Sequence, residues 1–173
     1  MSTLIQGDQI RALMLGIRAT RGPTTLVQNT GTSLFTVAAG KVALTGVIGE
    51  VTTAVANTAS LTAKLQFTPS GGSAADLCAA TGITADVAGT LYSLTSGVVT
   101  DLLSIQSVSV LGVTPVLAAE VPSVTFAHLL WRPIVVRAGA LSILVSNHDP
   151  GTGAVKWLLT YIPLDDGASV AAS

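Results

Sequence analysis

The sequence predicts an all-β fold, a β-sandwich or jelly roll with a short N-terminal amphipathic helix. The first observation is composition: 49% of the 173 residues are hydrophobic but only 4% are aromatic. The apolar content therefore comes mainly from Ala, Val and Leu, beside many Thr and Ser, and β-branched side chains favour strands. The second is that 17 Gly and 7 Pro divide the chain into short segments. The third is an alternation of apolar and polar residues with period two after Pro23, as expected for about nine or ten short strands.

The N-terminal segment is the exception to the β pattern. From Asp8 to Arg21 the apolar residues follow the i, i+3, i+4, i+7 spacing of one helical face; they are Ile10, Leu13, Met14 and Ile17. Asp8 is a suitable N-cap, and Gly22-Pro23 a suitable stop. We expect this face either to cover an open end of its own domain or to attach the chain to a neighbouring subunit, and we prefer attachment.

Strand signals begin after the predicted arm. Residues 24–28 and 33–37 flank Asn29-Thr30-Gly31-Thr32, which predicts a hairpin turn. The longest strand-like segment is 41–56, in which Gly46 and Gly49 are candidate β-bulges. Strict alternation over residues 60–68 predicts a half-buried strand, with Leu61, Ala63, Leu65 and Phe67 on the buried face.

Shorter candidates follow, and the C-terminal third carries the firmest pattern. The shorter candidates are 76–80, 90–95, 103–111, 116–119, 133–137 and 141–147. In residues 155–162 the side chains of Val155, Trp157, Leu159 and Tyr161 share one face. Residues 165–173 are small and polar, and we expect a tail. The predicted division is a helical arm (1–22), a β domain (23–164) and a C-terminal tail (165–173).

Charge is sparse and nearly balanced. Eight Lys and Arg against nine Asp and Glu give a net charge of −1, and charged residues make up 10% of the chain, against roughly 25% in an ordinary domain. A nucleic-acid binder needs a basic patch, so we expect none. The chain contains no apolar run of about 18 residues and no secretory signal pattern in its first residues. We therefore expect no membrane partner and synthesis in the cytoplasm.

Catalytic and metal-binding patterns are lacking in the sequence, and we expect neither an enzyme nor a cofactor. Cys78 is the only cysteine, and we interpret it as a small buried residue. His128 and His148 stand apart, without a HExxH motif or a histidine cluster. The only adjacent carboxylates are Asp165 and Asp166, which does not make the convergent pair that a glycosidase requires.

One feature of the sequence does point to a function: it has few charged residues with which to cover a solvent-exposed surface. A chain near zero net charge tends to associate, and interface cores are poor in charge and rich in aromatic residues and Arg. Trp131 and Arg132 are therefore candidate anchors at a subunit contact. For Trp157, which lies on an alternating face, we prefer ordinary core packing.

Three segments carry a resemblance to a known group. They are Ser33-Leu34-Phe35-Thr36-Val37, residues 41–53 (KVALTGVIGEVTT) and residues 153–164 (GAVKWLLTYIPL). The chain resembles, over most of residues 24–166, the small β-rich virion structural proteins of tailed bacteriophages. The helix predicted for residues 8–21 lies outside this likeness.

The resemblance implies a particle component located in the virion: a capsid decoration or head-fibre protein, or a tail component. It also implies assembly with other copies, with a trimer as our expectation, and contact with other virion proteins such as the major capsid protein. The alternative is a carbohydrate- or receptor-binding β module, for which exposed aromatic side chains would be the distinguishing feature.

Overall fold

The computed structural model describes residues 16–56, 60–94, 103–106, 133–147 and 150–173, with the backbone alone for 103–106. This part of the chain is all-β, as predicted, and contains twelve strands. They are β1 (Ile17–Thr25), β2 (Thr32–Ala38), β3 (Val42–Thr53), β4 (Thr62–Pro69), β5 (Ala75–Asp76), β6 (Thr81–Gly82), β7 (Leu91–Leu94), β8 (Leu103–Gln106), β9 (Ile134–Val136), β10 (Gly139–Ser146), β11 (Ala154–Pro163) and β12 (Ser169–Ala172).

The strands form two antiparallel sheets, which we name by their first strand. In the β1 sheet the order is β1-β11-β3-β7-β8, and β9 also pairs with β3. In the β2 sheet the order is β12-β2-β10-β4-β5, and β6 also pairs with β4. Consecutive strands often belong to different sheets, so the chain crosses repeatedly between the two.

Buried side chains from both sheets form one apolar cluster. On β11 the residues predicted to share a face are buried, with exposures of 0–5%; they are Val155, Trp157, Leu159 and Tyr161. On β4, Ala63, Leu65 and Phe67 are buried while the residues between them are partly exposed. Both alternation predictions are confirmed, because one face of each strand lies against the shared core.

A β-bulge in β3 changes which of its side chains face the core. Thr160 pairs with Gly46 but the next residue, Tyr161, pairs with Leu44, so Thr45 is an extra residue on β3. The bulge lets Leu44 and Val47, which strict alternation would place on opposite faces, both lie at 1% exposure. The bulge predicted near Gly46 is therefore present, whereas Gly49 pairs regularly with Trp157.

The prediction of a hairpin around Asn29-Gly31 is wrong, because the strands on either side of this turn do not pair with each other. β1 pairs with β11 in one sheet, and β2 pairs with β10 and β12 in the other. The turn exists, with Asn29 at a φ of 50°, but it lies in a crossing between the sheets. Leu26, 3% exposed, anchors that crossing in the core. Turn residues permit a change of direction without specifying which strand receives the chain.

The predicted helix does not extend over residues 17–21, which begin strand β1. Gly16 has a φ of +87°, outside the helical region. From Ile17 onward the strand pairs with β11, starting at Tyr161. The edge of β11 supplies the strand-pairing partners of β1, and the spacing of apolar residues within one segment contains no information about that pairing. Ile10, Leu13 and Met14 lie outside the described residues.

The predicted C-terminal tail is also partly strand. β12 pairs with β2 from Ser169 to Ala172, and Val170 is 9% exposed against the core. Before it, Asp165 Oδ2 accepts a 2.8 Å hydrogen bond from the Lys41 backbone N–H, and Gly167 adopts a φ of +78°. The described β structure thus extends from residue 17 to residue 172, beyond both predicted domain boundaries.

Candidate functional site: an apolar groove on the outer face of one sheet

The two sheets present different faces away from the core. On the β2 sheet, the outward residues of β4 include Thr62, Lys64 and Gln66, which alternate with buried ones. Lys64 Nζ and Gln66 Nε2 donate hydrogen bonds of 2.8 and 2.6 Å to the Asp76 carboxylate. These two hydrogen bonds hold the pKa of Asp76 below its usual value. This face is polar and its charges are paired.

The outer face of the β1 sheet carries several accessible aliphatic side chains, beside the polar pairs Thr45–Thr160 and Glu50–Lys156. Ile48 and Leu158 are register partners and lie on the side opposite the buried residues of β3 and β11. Further along the same face, Ile162 is 40% exposed and Val135 is 58% exposed, and both pair with Ala43. Large aliphatic side chains therefore remain accessible on a face where an isolated β domain would carry polar ones.

A groove of about 390 Å³ lies at one end of this face. Ile48, Leu91 and Leu158 line it, and all three are partly exposed. The ion pair between Lys156 Nζ and Glu50 Oε2, 2.8 Å apart, also borders it. Both charged side chains are largely solvated, so the pair contributes at most about 1 kcal/mol. The groove thus offers an apolar surface bordered by two cationic side chains, Arg21 and Lys156, and one anionic side chain, Glu50.

An irregularity in β1 forms one wall of the groove. Between Arg21 and Thr24 strand β1 carries one more residue than β11, and Gly22 and Pro23 in this bulge line the groove. Proline has no backbone N–H and is tolerated in an edge strand. Bulges and prolines also protect an edge strand from pairing with another chain. The edge is therefore poorly suited to adding a strand, in contrast to the accessible apolar face.

A tightly packed layer lies on the inner side of the sheet at the groove. Trp157 is 2% exposed, which confirms its assignment to the core. A Cβ on Gly49 would lie 2.7 Å from the indole ring, so only glycine leaves room for it there. The rings of Trp157 and Tyr92 have centroids 6.4 Å apart. Buried aromatic packing of this kind makes the sheet beneath the groove rigid.

Arg21 joins the edges of the two sheets near the groove. Its Nε donates a 2.7 Å hydrogen bond to Thr24 Oγ1, and Nη1 donates to the carbonyl oxygens of Leu34 and Ser173. The side chain thus connects β1 to β2 and to the residue following β12. Sequence reasoning missed this role, because the contacts join residues that are far apart in the chain.

The described ionisable groups do not form a catalytic arrangement. Cys78 is buried and accepts a 3.2 Å hydrogen bond from the Leu65 N–H; burial raises its thiol pKa. Asp86 accepts a 2.8 Å hydrogen bond from Tyr92 O–H, and burial raises the pKa of both groups. In the described ranges no group of three or more His, Cys, Asp and Glu could hold a metal ion.

Of the predicted contact residues, only Ile17 is described. It lies at the start of β1 and is 45% exposed, so it belongs to a strand and not to a helical face. Ile10, Leu13, Met14, Trp131 and Arg132 lie outside the described residues, as do His128 and His148. The groove residues Ile48, Leu91 and Leu158 were not singled out from the sequence. The signal was present in β11, where Leu158 and Ile162 occupy the face opposite the core.

Among the described residues no helix is long and apolar enough to span a membrane. Comparison of the chain with known protein families, with curated proteins and with solved structures gave no match. Any functional inference therefore rests on the residues and on the surface they form.

Proposed function

We propose that the chain is a non-enzymatic structural component of a tailed-phage virion, an oligomeric capsid decoration or head-fibre protein with a β-sandwich or jelly-roll fold. The observation that carries the proposal is the set of accessible aliphatic side chains on the outer face of the β1 sheet; they are Ile48, Leu158, Ile162 and Val135. Subunits of a particle bury such faces against their neighbours. The resemblance of residues 24–166 to phage virion proteins supplies the virion setting.

The contrast between the two outer faces supports directed association. The polar face of the β2 sheet pairs its charges, as Lys64 does with Asp76 at 2.8 Å, and is suited to solvent. The apolar face of the β1 sheet is suited to a protein partner. A subunit with one face of each kind can sit on a particle with one side covered and the other in water.

The carbohydrate-binding alternative has less support. Sugar sites usually stack a ring on an exposed aromatic side chain. In the described ranges the aromatic side chains are all buried, at 0–6% exposure; they are Phe35, Phe67, Tyr92, Trp157 and Tyr161. A face of aliphatic side chains favours a protein contact.

The test is to purify particles of the phage that encodes the chain, measure the copy number of the chain by quantitative mass spectrometry and locate it by electron microscopy. We expect a fixed number of copies per particle. Removal of residues 1–15 should reduce incorporation while the β domain stays folded. The truncation stops there because residues 17–22 belong to β1. If the chain is absent from particles, or if it binds glycans on an array, the proposal fails.

A further inference from the structure

The groove lies beside the strand through which the N-terminal segment joins the described structure. β1 is the edge strand of its sheet, and its residues from Thr20 to Pro23 line the groove. Residues 1–15 precede Gly16 and lie outside the described part. A helical segment of this length spans about 22 Å, so it can reach beyond its own β1 edge.

The chemistry of that segment matches the groove. Its apolar residues Ile10, Leu13 and Met14 have the spacing of one helical face. Such a face fits a groove lined by aliphatic side chains. Its charged residues are Asp8 and Arg11; the charged residues at the groove are Arg21, Glu50 and Lys156, of which Glu50 and Lys156 pair with each other.

We propose that the groove binds the N-terminal segment, residues 4–14, of a second copy of this chain. This inference rests on the proposed function, since it names the contact through which the subunits associate. Strand β1 runs from Ile17 towards Thr25, and the groove borders its later residues, Thr20 to Pro23. Ile17 is three residues before Thr20, so the segment that precedes it would have to fold back along β1 to enter the groove of its own chain. A neighbour's groove receives it without a reversal of the chain.

This contact is heterologous, because a segment of one subunit meets a different surface on the next. Such contacts close into rings when the rotation between subunits allows. A ring of three copies agrees with the trimer expected from the resemblance. Each copy then covers Ile48, Leu91 and Leu158 of one neighbour and is itself covered by the other.

Cross-linking between two distinguishable copies tests the contact. One full-length chain carries Leu13→Cys and a mass tag, and the other carries Leu158→Cys; the two are co-expressed and treated with a short bismaleimide. The matched control replaces Leu158→Cys by Thr68→Cys, which lies on the polar outer face of the β2 sheet. Cys78 is buried and is present in every variant, and the unsubstituted chain measures its background.

We expect a tagged-to-untagged product with Leu158→Cys, at least about tenfold more abundant than with Thr68→Cys. A further variant carries both Leu13→Cys and Leu158→Cys on one chain. If it cross-links only within that chain, the inference is overturned, because the segment would then occupy its own groove. No product, with an oligomer still seen by light scattering, overturns the inference and leaves the proposed function standing. No product and a monomer contradict both.

Discussion

Gly49 and Trp157 illustrate how a single side chain determines the packing beneath the candidate groove. The indole crosses β3 at Gly49, which has no Cβ, and it approaches Tyr92 on the far side. The pattern of the sequence placed Trp157 in the core but gave Gly49 the role of a bulge. Register with Trp157 decides its role, and register is a property of strand pairing that spacing along one strand does not contain.

Gly49→Ala should destabilise the fold by about 1–3 kcal/mol, because the added methyl group overlaps the indole and the layer must shift. Gly22→Ala is the matched control, since a Cβ there meets nothing within 4 Å, and it should change stability by less than about 0.5 kcal/mol. Urea unfolding followed by tryptophan fluorescence measures both. Equal effects of the two substitutions would show that the Gly49–Trp157 packing is not the cause.

Asp86 gives the fold a pH dependence of known sign. Burial raises the carboxyl pKa, although the hydrogen bond from Tyr92 opposes the rise. The folded chain therefore holds the proton more tightly than the unfolded chain, whose Asp titrates near pH 3.9. The contribution of Asp86 to stability is complete below about pH 3.9 and is lost as pH rises through the folded pKa.

Asp86→Asn removes that loss and keeps an oxygen that can accept the Tyr92 hydrogen bond. The stability of the variant relative to the natural chain should therefore rise between about pH 4 and neutral pH. Asp76→Asn is the opposite control: hydrogen bonds from Lys64 and Gln66 lower the pKa of Asp76, so its contribution is lost as pH falls through the folded pKa. Urea titrations at several pH values measure the stability of each variant relative to the natural chain. If this relative stability changes with pH in the same direction for both variants, the opposite pKa shifts assigned to Asp86 and Asp76 are contradicted.

Cys78 should be inert in the folded chain. The thiol is 6% exposed and its pKa is raised by burial, and the thiolate is the reactive form. A disulfide reagent at pH 8 should leave Cys78 unmodified over the time in which it labels the urea-unfolded chain completely. Rapid labelling under native conditions would show that the β4–β5 region opens readily.

At the level of elements, strands with one buried face were predictable and edge strands were not. β4 and β11 lie in the interior of their sheets and face the core on one side only, so their period-two pattern is strong. β1 and β12 are edge strands, paired on one side. In β1 the apolar residues have the spacing of a helical face, which led to the prediction of a helix. In β12 the Ser169–Ala172 segment is too short to show a clear alternation of apolar and polar residues.

The groove was unpredictable for a related reason. It needs Ile48 from β3, Leu91 from β7 and Leu158 from β11 on the same outer face. That juxtaposition depends on the strand order β11-β3-β7 and on the register between these strands, which the spacing within one strand does not contain.

Arg21→Ala should loosen the connection between the two sheet edges. The guanidinium donates to the carbonyls of Leu34 and Ser173, and its loss should cost about 1–2 kcal/mol, since charge-assisted bonds are the stronger ones but this one is partly solvated. The rate of hydrogen exchange should increase more for the backbone amides of β12 than for those of β10. Arg18→Ala, at an exposed position of the same strand, is the control and should leave β12 protected. Unchanged protection in Arg21→Ala would contradict the connecting role.

At the level of the whole molecule, the few charged side chains can be assigned to particular faces of the two sheets. One described ion pair, Lys64–Asp76, lies on the outer face of the β2 sheet, and another, Glu50–Lys156, lies on that of the β1 sheet. Around Glu50–Lys156 the accessible side chains include the aliphatic Ile48, Leu91 and Leu158. We propose that a composition with 10% charged residues reflects a face left for contact with protein, which is the central claim of the proposed function.

The most direct test of that claim is the molar mass of the full-length chain in solution, measured by light scattering over a range of concentrations. The natural chain should have a mass that is a multiple of the single-chain value, with three copies expected. Leu158→Lys should shift it to the monomer with the circular dichroism spectrum unchanged, while Thr68→Lys on the polar face should not. A monomeric natural chain, or an oligomer that persists equally in Leu158→Lys, would contradict association through this face.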